Sequence, residues 1–276
     1  MIIRKSKKIL AILLVVALFG GTAFAGEKAA GEQKELRYNW KVDLVVTGIA
    51  ATGYVITAAA KSQLLPSDCR WCDVNSFDKW GRDNIKWGDT GAANKAVYVT
   101  GYALAPMAAF GLDALAAGLD ERLSDFLPDA LIIAEAAALS SFTTELVKIA
   151  TGRQRPNAHF GGGSTSPRDN NSFYSGHTSL AFSLAAASGT VATMRGYRFA
   201  PLVWGTGMAI AATTGYLSIA ADRHYLTDVI AGAVLGSAFG VGIPYLFHRP
   251  REETSHTSFS AAPVEGGGLF TVSGEW

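Results

Sequence analysis

Phe173-Tyr174-Ser175-Gly176-His177-Thr178 closes a polar, glycine-rich loop (Gly161 to Ser172) and opens a long run of small apolar residues. A serine at such a junction reads as a helix cap. The free N–H groups of a helix start, with the positive end of the dipole behind them, make an anion site. Gly176 lets a ligand approach the backbone closely, and His177 is placed to give a proton to a leaving group. Alone, the stretch reads equally as a capped helix with one polar residue in its first turn. The rest of the chain has to decide.

Outward from it the pattern is helical, without sustained strand-type alternation. Helices are predicted over residues 44–60, 95–118, 128–151, 175–194, 200–221 and 224–247, which makes the fold class all-α, a bundle of about five to six core helices. Gly152 is a natural stop for the third core helix, and Gly232, Gly236 and Gly240 lay a smooth seam along the last one. Residues 61–94 read as a loop carrying Trp71, Trp80 and Trp87, either a rim or lid or a packed extension. The organisation is a leader (1–25), an arm with the first core helix and the cysteine loop (26–94), a catalytic bundle (95–248, one domain with 44–94) and a polar tail (249–276). Leu269 to Val272 is a candidate for one short strand in that tail.

Among 276 residues, 24 Lys+Arg face 23 Asp+Glu, a formal charge of +1 with no basic run, which argues against nucleic acid as partner. Hydrophobic residues make up 49% and charged ones 17%, apolar for a soluble protein. Arg4, Lys5, Lys7 and Lys8, then Ile9 to Phe19, then Ala23-Phe24-Ala25 have the order of a secretory signal peptide, with an uncleaved anchor as the alternative. Export implies a periplasmic, oxidising setting. There Cys69 and Cys72 most simply close a small disulfide, since a metal site would need ligands that no second cysteine pair supplies.

Residues 199–221 and 229–247 are uncharged for long enough to cross a bilayer, but Asp113, Glu135 and Glu145 interrupt the second and third core helices. With a cleaved leader and three spanning helices, the end bearing Lys148 would face the cytoplasm. A soluble or surface-associated periplasmic bundle avoids that and is the preferred reading. The alternative is an inner-membrane protein with an outward-facing site.

Three clusters carry chemistry. Lys148 is followed seven residues on by Arg155-Pro156; Ser175-Gly176-His177 comes next; His224 precedes Asp228 by four. Two cations beside a helix start suit an oxyanion whose oxygens need donors from several directions. Read as one helix face, His224 and Asp228 make a histidine whose tautomer a carboxylate fixes, leaving the other nitrogen as nucleophile. Up-and-down connections collect all three clusters at one end of the bundle.

K-x6-R-P, S-G-H and H-x3-D on five or six helices resemble the type 2 phosphatidic acid phosphatase (PAP2) superfamily, which includes bacterial acid phosphatases and vanadium haloperoxidases. The resemblance implies a metal-independent phosphatase acting on phosphate monoesters or diphosphates of a small molecule or lipid. No cofactor is expected, vanadate excepted in a haloperoxidase. It further implies that His224 attacks phosphorus, Asp228 orients it and His177 protonates the leaving oxygen. Lys148, Arg155, Ser175 and Gly176 would hold the phosphate oxygens. Two departures stand out: Tyr174 replaces a proline, and Ser218 stands where the family has an arginine. Losing a charged hydrogen bond of roughly 1.5 to 3 kcal/mol would slow turnover about ten-fold to more than a hundred-fold unless Arg223 or Arg153 reaches in. Arg223, read as the helical neighbour of His224, points about 100° away from it. Besides a membrane prenyl-diphosphate or phosphatidate phosphatase, a degenerate phosphate-binding scaffold is therefore a rival. His159 reads as a solvated loop residue, and His248 and His256 as exposed in the tail.

Overall fold

The computed structural model describes residues 34–250 and the backbone of two tail strands, β1 (Ser258–Val264) and β2 (Gly267–Ser273). The proposed leader, residues 1–25, and His256 lie outside the described residues. The fold is an all-α bundle. Its helices are α1 (Trp40–Ala59), α2 (Ser76–Ile85), α3 (Thr90–Leu119), α4 (Phe126–Thr151), α5 (Gly176–Arg195), α6 (Ala200–Ala220) and α7 (Leu226–Phe247), with shorter turns between them. In the tail, β1 and β2 pair antiparallel, so the single strand expected at Leu269 to Val272 has a partner.

Helix α5 is the axis. Nearly all its length is buried, which its Ala, Ser and Gly composition permits because neighbouring backbones can come close. The seam on α7 does this: a Cβ on Gly232 would meet the Ser175 carbonyl oxygen at 2.8 Å, and one on Gly236 would crowd that of Ser179 still more tightly. Helix α4 ends where Gly152 turns left-handed, φ 53°, a conformation glycine adopts without a Cβ clash.

Two boundaries differ from expectation. Residues 61–94 are not simply a loop: Asn75 accepts the Asp78 N–H to start α2, and Asp89 accepts that of Ala92 to start α3. Short capped helices with few apolar residues escape a search for long periodic runs. Helix α7 begins at Leu226 rather than residue 224, because Asp222 at φ 57° turns the chain and leaves Arg223 and His224 in an irregular link. Cys69 and Cys72 form a disulfide in the connection leading to α2. Trp71 packs on Phe173, Trp87 donates to the Tyr216 hydroxyl at 3.1 Å, and Trp80 is exposed.

Helices α1, α3, α4, α6 and α7 are long and apolar enough to cross a membrane. Their outward faces carry large apolar side chains, among them Val45, Ile49, Val55, Met107, Leu127, Val234 and Leu246. The acidic residues that interrupt the pattern point inward: Asp113 is 0% exposed, Glu145 4% and Glu135 5%. Charge inside and hydrocarbon outside is the arrangement lipid demands. The objection that these carboxylates raised against a membrane bundle is thereby removed.

Candidate active site

The link after α4, the start of α5 and the link before α7 meet at one end of the bundle. They enclose a cavity of about 180 Å³, the space of about six waters. Lys148, Arg155, Gly176, His177, Ser218, Arg223 and His224 all line it, so the three clusters do converge. Sequence reasoning missed Lys61, Arg168, Asn171 and the ring of Tyr54, Tyr98 and Tyr102, which line it too. They belong to no spaced motif, so no local signal marked them. Asp228, Ser175 and Arg153 lie behind the wall.

The lining is cationic. Glu145 is its carboxylate, and that is taken by Lys61 at 2.8 Å. Among the described residues no carboxylate forms an ion pair with Lys148, Arg155, Arg168 or Arg223. Burial, followed by the neighbouring Arg223, pushes the Arg155 guanidinium below its usual range. Buried cations left without counter-charge call for an anion from outside.

His224 Nδ1 donates to the Ser172 carbonyl oxygen at 2.8 Å, which leaves Nε2 as the ring nitrogen with a free lone pair. The carboxylate of Asp228 is 3.7 Å from Nδ1. The expected carboxylate hydrogen bond is thus replaced by a backbone one, because His224 precedes the helix instead of sharing a face with Asp228. Burial, opposed by Asp228 and reinforced by Arg155 and Lys148, lowers the His224 pKa to about 3, so its imidazole is neutral at ordinary pH.

Asp228 has other duties. It accepts from the Ser172 hydroxyl at 2.6 Å and the Tyr225 N–H at 2.9 Å, tying both flanks of His224 together. Arg153 bridges Asp228 at 2.5 Å and Asp78 at 2.6 Å, with Trp71 and Tyr225 over its guanidinium plane. It is 1% exposed and locked, which rules it out as the stand-in cation at the cavity. Asp78, on α2, was not singled out from the sequence. It also accepts the Thr227 N–H and hydroxyl, both at 2.8 Å.

Arg223 does line the cavity. The helical argument that turned it away does not apply, since residues 221–225 are not helical. Ser218 also faces the cavity, its hydroxyl donating to the Thr214 carbonyl at 2.8 Å. The Ser175 N–H is already given to the Asp228 carbonyl oxygen at 3.0 Å and is not available to a ligand, while Gly176 is open and would bring a Cβ to 3.2 Å from Lys148 Nζ.

His177 sits between Tyr98 and Tyr102, ring centroids 5.1 and 4.7 Å away, and its Nε2 has no hydrogen-bond partner among the described residues. The π turn Thr100–Leu104 within α3 brings Tyr102 to this position, and Gly101 lets the turn approach the imidazole. His159 is exposed, as expected, and meets Gln154 at 3.2 Å. His248 is not: it is 2% exposed, folded back against the arm and α4 at the opposite end.

The protein is an all-α helical bundle in which cations without carboxylate partners among the described residues and two imidazoles line a small cavity. Residues 129–252 match the family model of the PAP2 superfamily, a phosphatase-type superfamily. No curated protein matches the chain.

Proposed function

We propose that the protein is a membrane-embedded phosphatase that cleaves lipid phosphate monoesters or diphosphates through a phosphohistidine on His224. The observation that carries this reading is the buried Lys148 and Arg155, with the half-buried Arg223, all without a carboxylate partner among the described residues and lining one cavity with a neutral His224. Lys148, Arg155, Arg223 and the N–H of Gly176 would hold the non-bridging oxygens while Nε2 attacks phosphorus in line with the leaving oxygen. His177, left neutral without ligand because burial and then Lys148 lower its pKa to about 3, would take up a proton when the phosphate anion balances those cations, give it to that oxygen as the ester bond breaks, and take one back from the water that displaces phosphate from His224. Asp228, held by Arg153, would keep Ser172 and His224 in place and oppose the charge that develops on the imidazole. Arg223 would supply the cation that Ser218 lacks, which favours an enzyme over a degenerate binding scaffold.

The lipid class is supported by Tyr98 and Tyr102 of α3, each about half exposed while lining the cavity, and by the exposed apolar side chains of α1 and α3. This reverses the sequence preference for a soluble bundle. The Cys69–Cys72 disulfide lies at the cavity end and supports an oxidising environment there, hence a site facing the periplasm. A leader cleaved after Ala25 would give a fully spanning bundle the opposite orientation. Labelling of cysteines placed at Asn84 and Arg198 with a membrane-impermeant maleimide in whole cells separates the two, labelling at Asn84 alone being expected.

The central test is hydrolysis of a phosphatidate and a prenyl diphosphate in EDTA, with trapping of an acid-labile phosphoenzyme. Label in the wild type and none in His224→Ala is expected. Equal turnover by both proteins would remove the phosphohistidine mechanism, and activity only with added vanadate and halide would point to a haloperoxidase.

A further inference from the structure

Away from the cavity, Asp43 in the first turn of α1, Glu135 on α4 and His248 just beyond α7 each bring a ligand-type atom within 4.8 Å of the others. All three are buried, at 7%, 5% and 2% exposure. His248 Nδ1 donates to the Arg37 carbonyl oxygen at 2.9 Å, so Nε2 is left with its lone pair and is aimed at Glu135 Oε2, 3.4 Å away. That separation is long for an N–H···O bond. Neither Nε2 nor Oε2 has a hydrogen-bond partner among the described residues.

Two ligands bound ~2.0–2.1 Å from a tetrahedral ion stand ~3.4 Å apart. An imidazole oriented by a hydrogen bond from its other nitrogen to a backbone carbonyl is the usual setting of a metal-binding histidine. Charge points the same way. Two carboxylates are buried together, and among the described residues no lysine or arginine pairs with Asp43 or Glu135.

We propose that Asp43, Glu135 and His248 bind one divalent cation, with Zn²⁺ best suited to a donor set of two carboxylates and one imidazole, and water completing the shell. The ion would be structural. It would fasten the arm before α1 and the end of α7 onto α4, where Leu36 and Pro250 already form an isolated bridge. The sequence reading foresaw no metal and placed His248 in solvent, because the three ligands lie far apart in the chain and share no spacing motif.

The test uses the full-length protein, purified without a histidine tag, in detergent or nanodiscs. Elemental analysis should find about one Zn²⁺ per chain in the wild type, and far less in Glu135→Gln and His248→Asn. Chelation should lower the wild-type Tm and added Zn²⁺ restore it, by about 5–10 °C for an ion at a hundred times its dissociation constant. Should the variants fail to fold, Co²⁺ added to chelator-treated wild type should give the visible bands of a tetrahedral nitrogen and oxygen site. Absence of bound metal together with no Tm response to Zn²⁺ or chelator would overturn the proposal and leave a protonated His248–Glu135 ion pair. Metal retained in full by folded His248→Asn would overturn it too.

Discussion

Arg195 and Arg155 are both buried arginines at opposite ends of the same bundle, and they live in opposite electrostatic worlds. Arg195 meets Asp129 at 2.7 Å, Glu35 at 3.3 Å and Asp125 at 3.5 Å, while Tyr197 donates to Asp129 at 2.9 Å. Arg155 has backbone carbonyls, those of Arg168 at 3.3 Å and Arg223 at 3.1 Å, and no carboxylate among the described residues. A fold built only for stability would pair both, because an unpaired buried charge costs several kcal/mol. One end therefore spends its charges on structure, and the other leaves its cations without carboxylate partners among the described residues, at the expense of stability.

The largest effect expected from breaking this contrast is at His224. His224→Ala should lose turnover by about 10⁴-fold or more while folding normally, as measured by initial rates and by Tm. Next come the paired arginines. Asp129→Ala and Asp78→Ala should each cost about 1–3 kcal/mol, because Arg195 keeps Glu35 and Asp125 and Arg153 keeps Asp228 but each loses a buried charged partner. Reversible unfolding in denaturant would measure both. They should differ in activity: folded Asp129→Ala keeps its kcat, whereas Asp78→Ala loses it, since Arg153 and Asp228 hold the flanks of His224. Equal activity in the two would deny that the clamp serves the site.

Arg223→Ala should reduce kcat/KM by about ten- to a hundred-fold, the contribution of one charged hydrogen bond. Its Tm should hold or rise, because like charges around the empty cavity are relieved. Adding Ser218→Arg to that variant should recover part of the rate, and failure to do so would show that position 218 cannot supply the cation. The smallest effect is in pH dependence. With the His224 pKa lowered to about 3, His224 stays unprotonated above that pH and sets no acid limb in kcat/KM between pH 5 and 8. Removing the Arg155 charge favours the imidazolium, so Arg155→Ala should move that limb upward, and a profile that stays put would contradict the coupling. The same displacement makes His224 withhold a proton that the unfolded chain binds below about 6.5, so stability should fall as pH drops from there toward 3.

Much of this was legible in advance. Six long helices, their near-correct ends and the three clusters at one end follow from apolar periodicity, Gly152 as a stop and the lengths of the links. The glycine seam on α7 was legible for the same reason: spacing by four puts residues on one face. What escaped lay in irregular backbone and long-range pairing. Helix reasoning turned Arg223 about 100° from His224, a partial substitute at best, and put His224 on a common face with Asp228, yet one left-handed residue, Asp222, undoes both inferences. Arg153 looked like a spare cation until Asp78, from a segment read as a loop, was found holding it.

The sequence by itself determined the helices, the family resemblance and the residues that could do phosphoryl chemistry, since periodicity and short motifs are local properties of the chain. Only the tertiary structure decided which charges are paired among the described residues, which apolar faces point outward, and that Asp43, Glu135 and His248 share one buried point. Those are properties of distance and burial, and neither can be read from order along the chain.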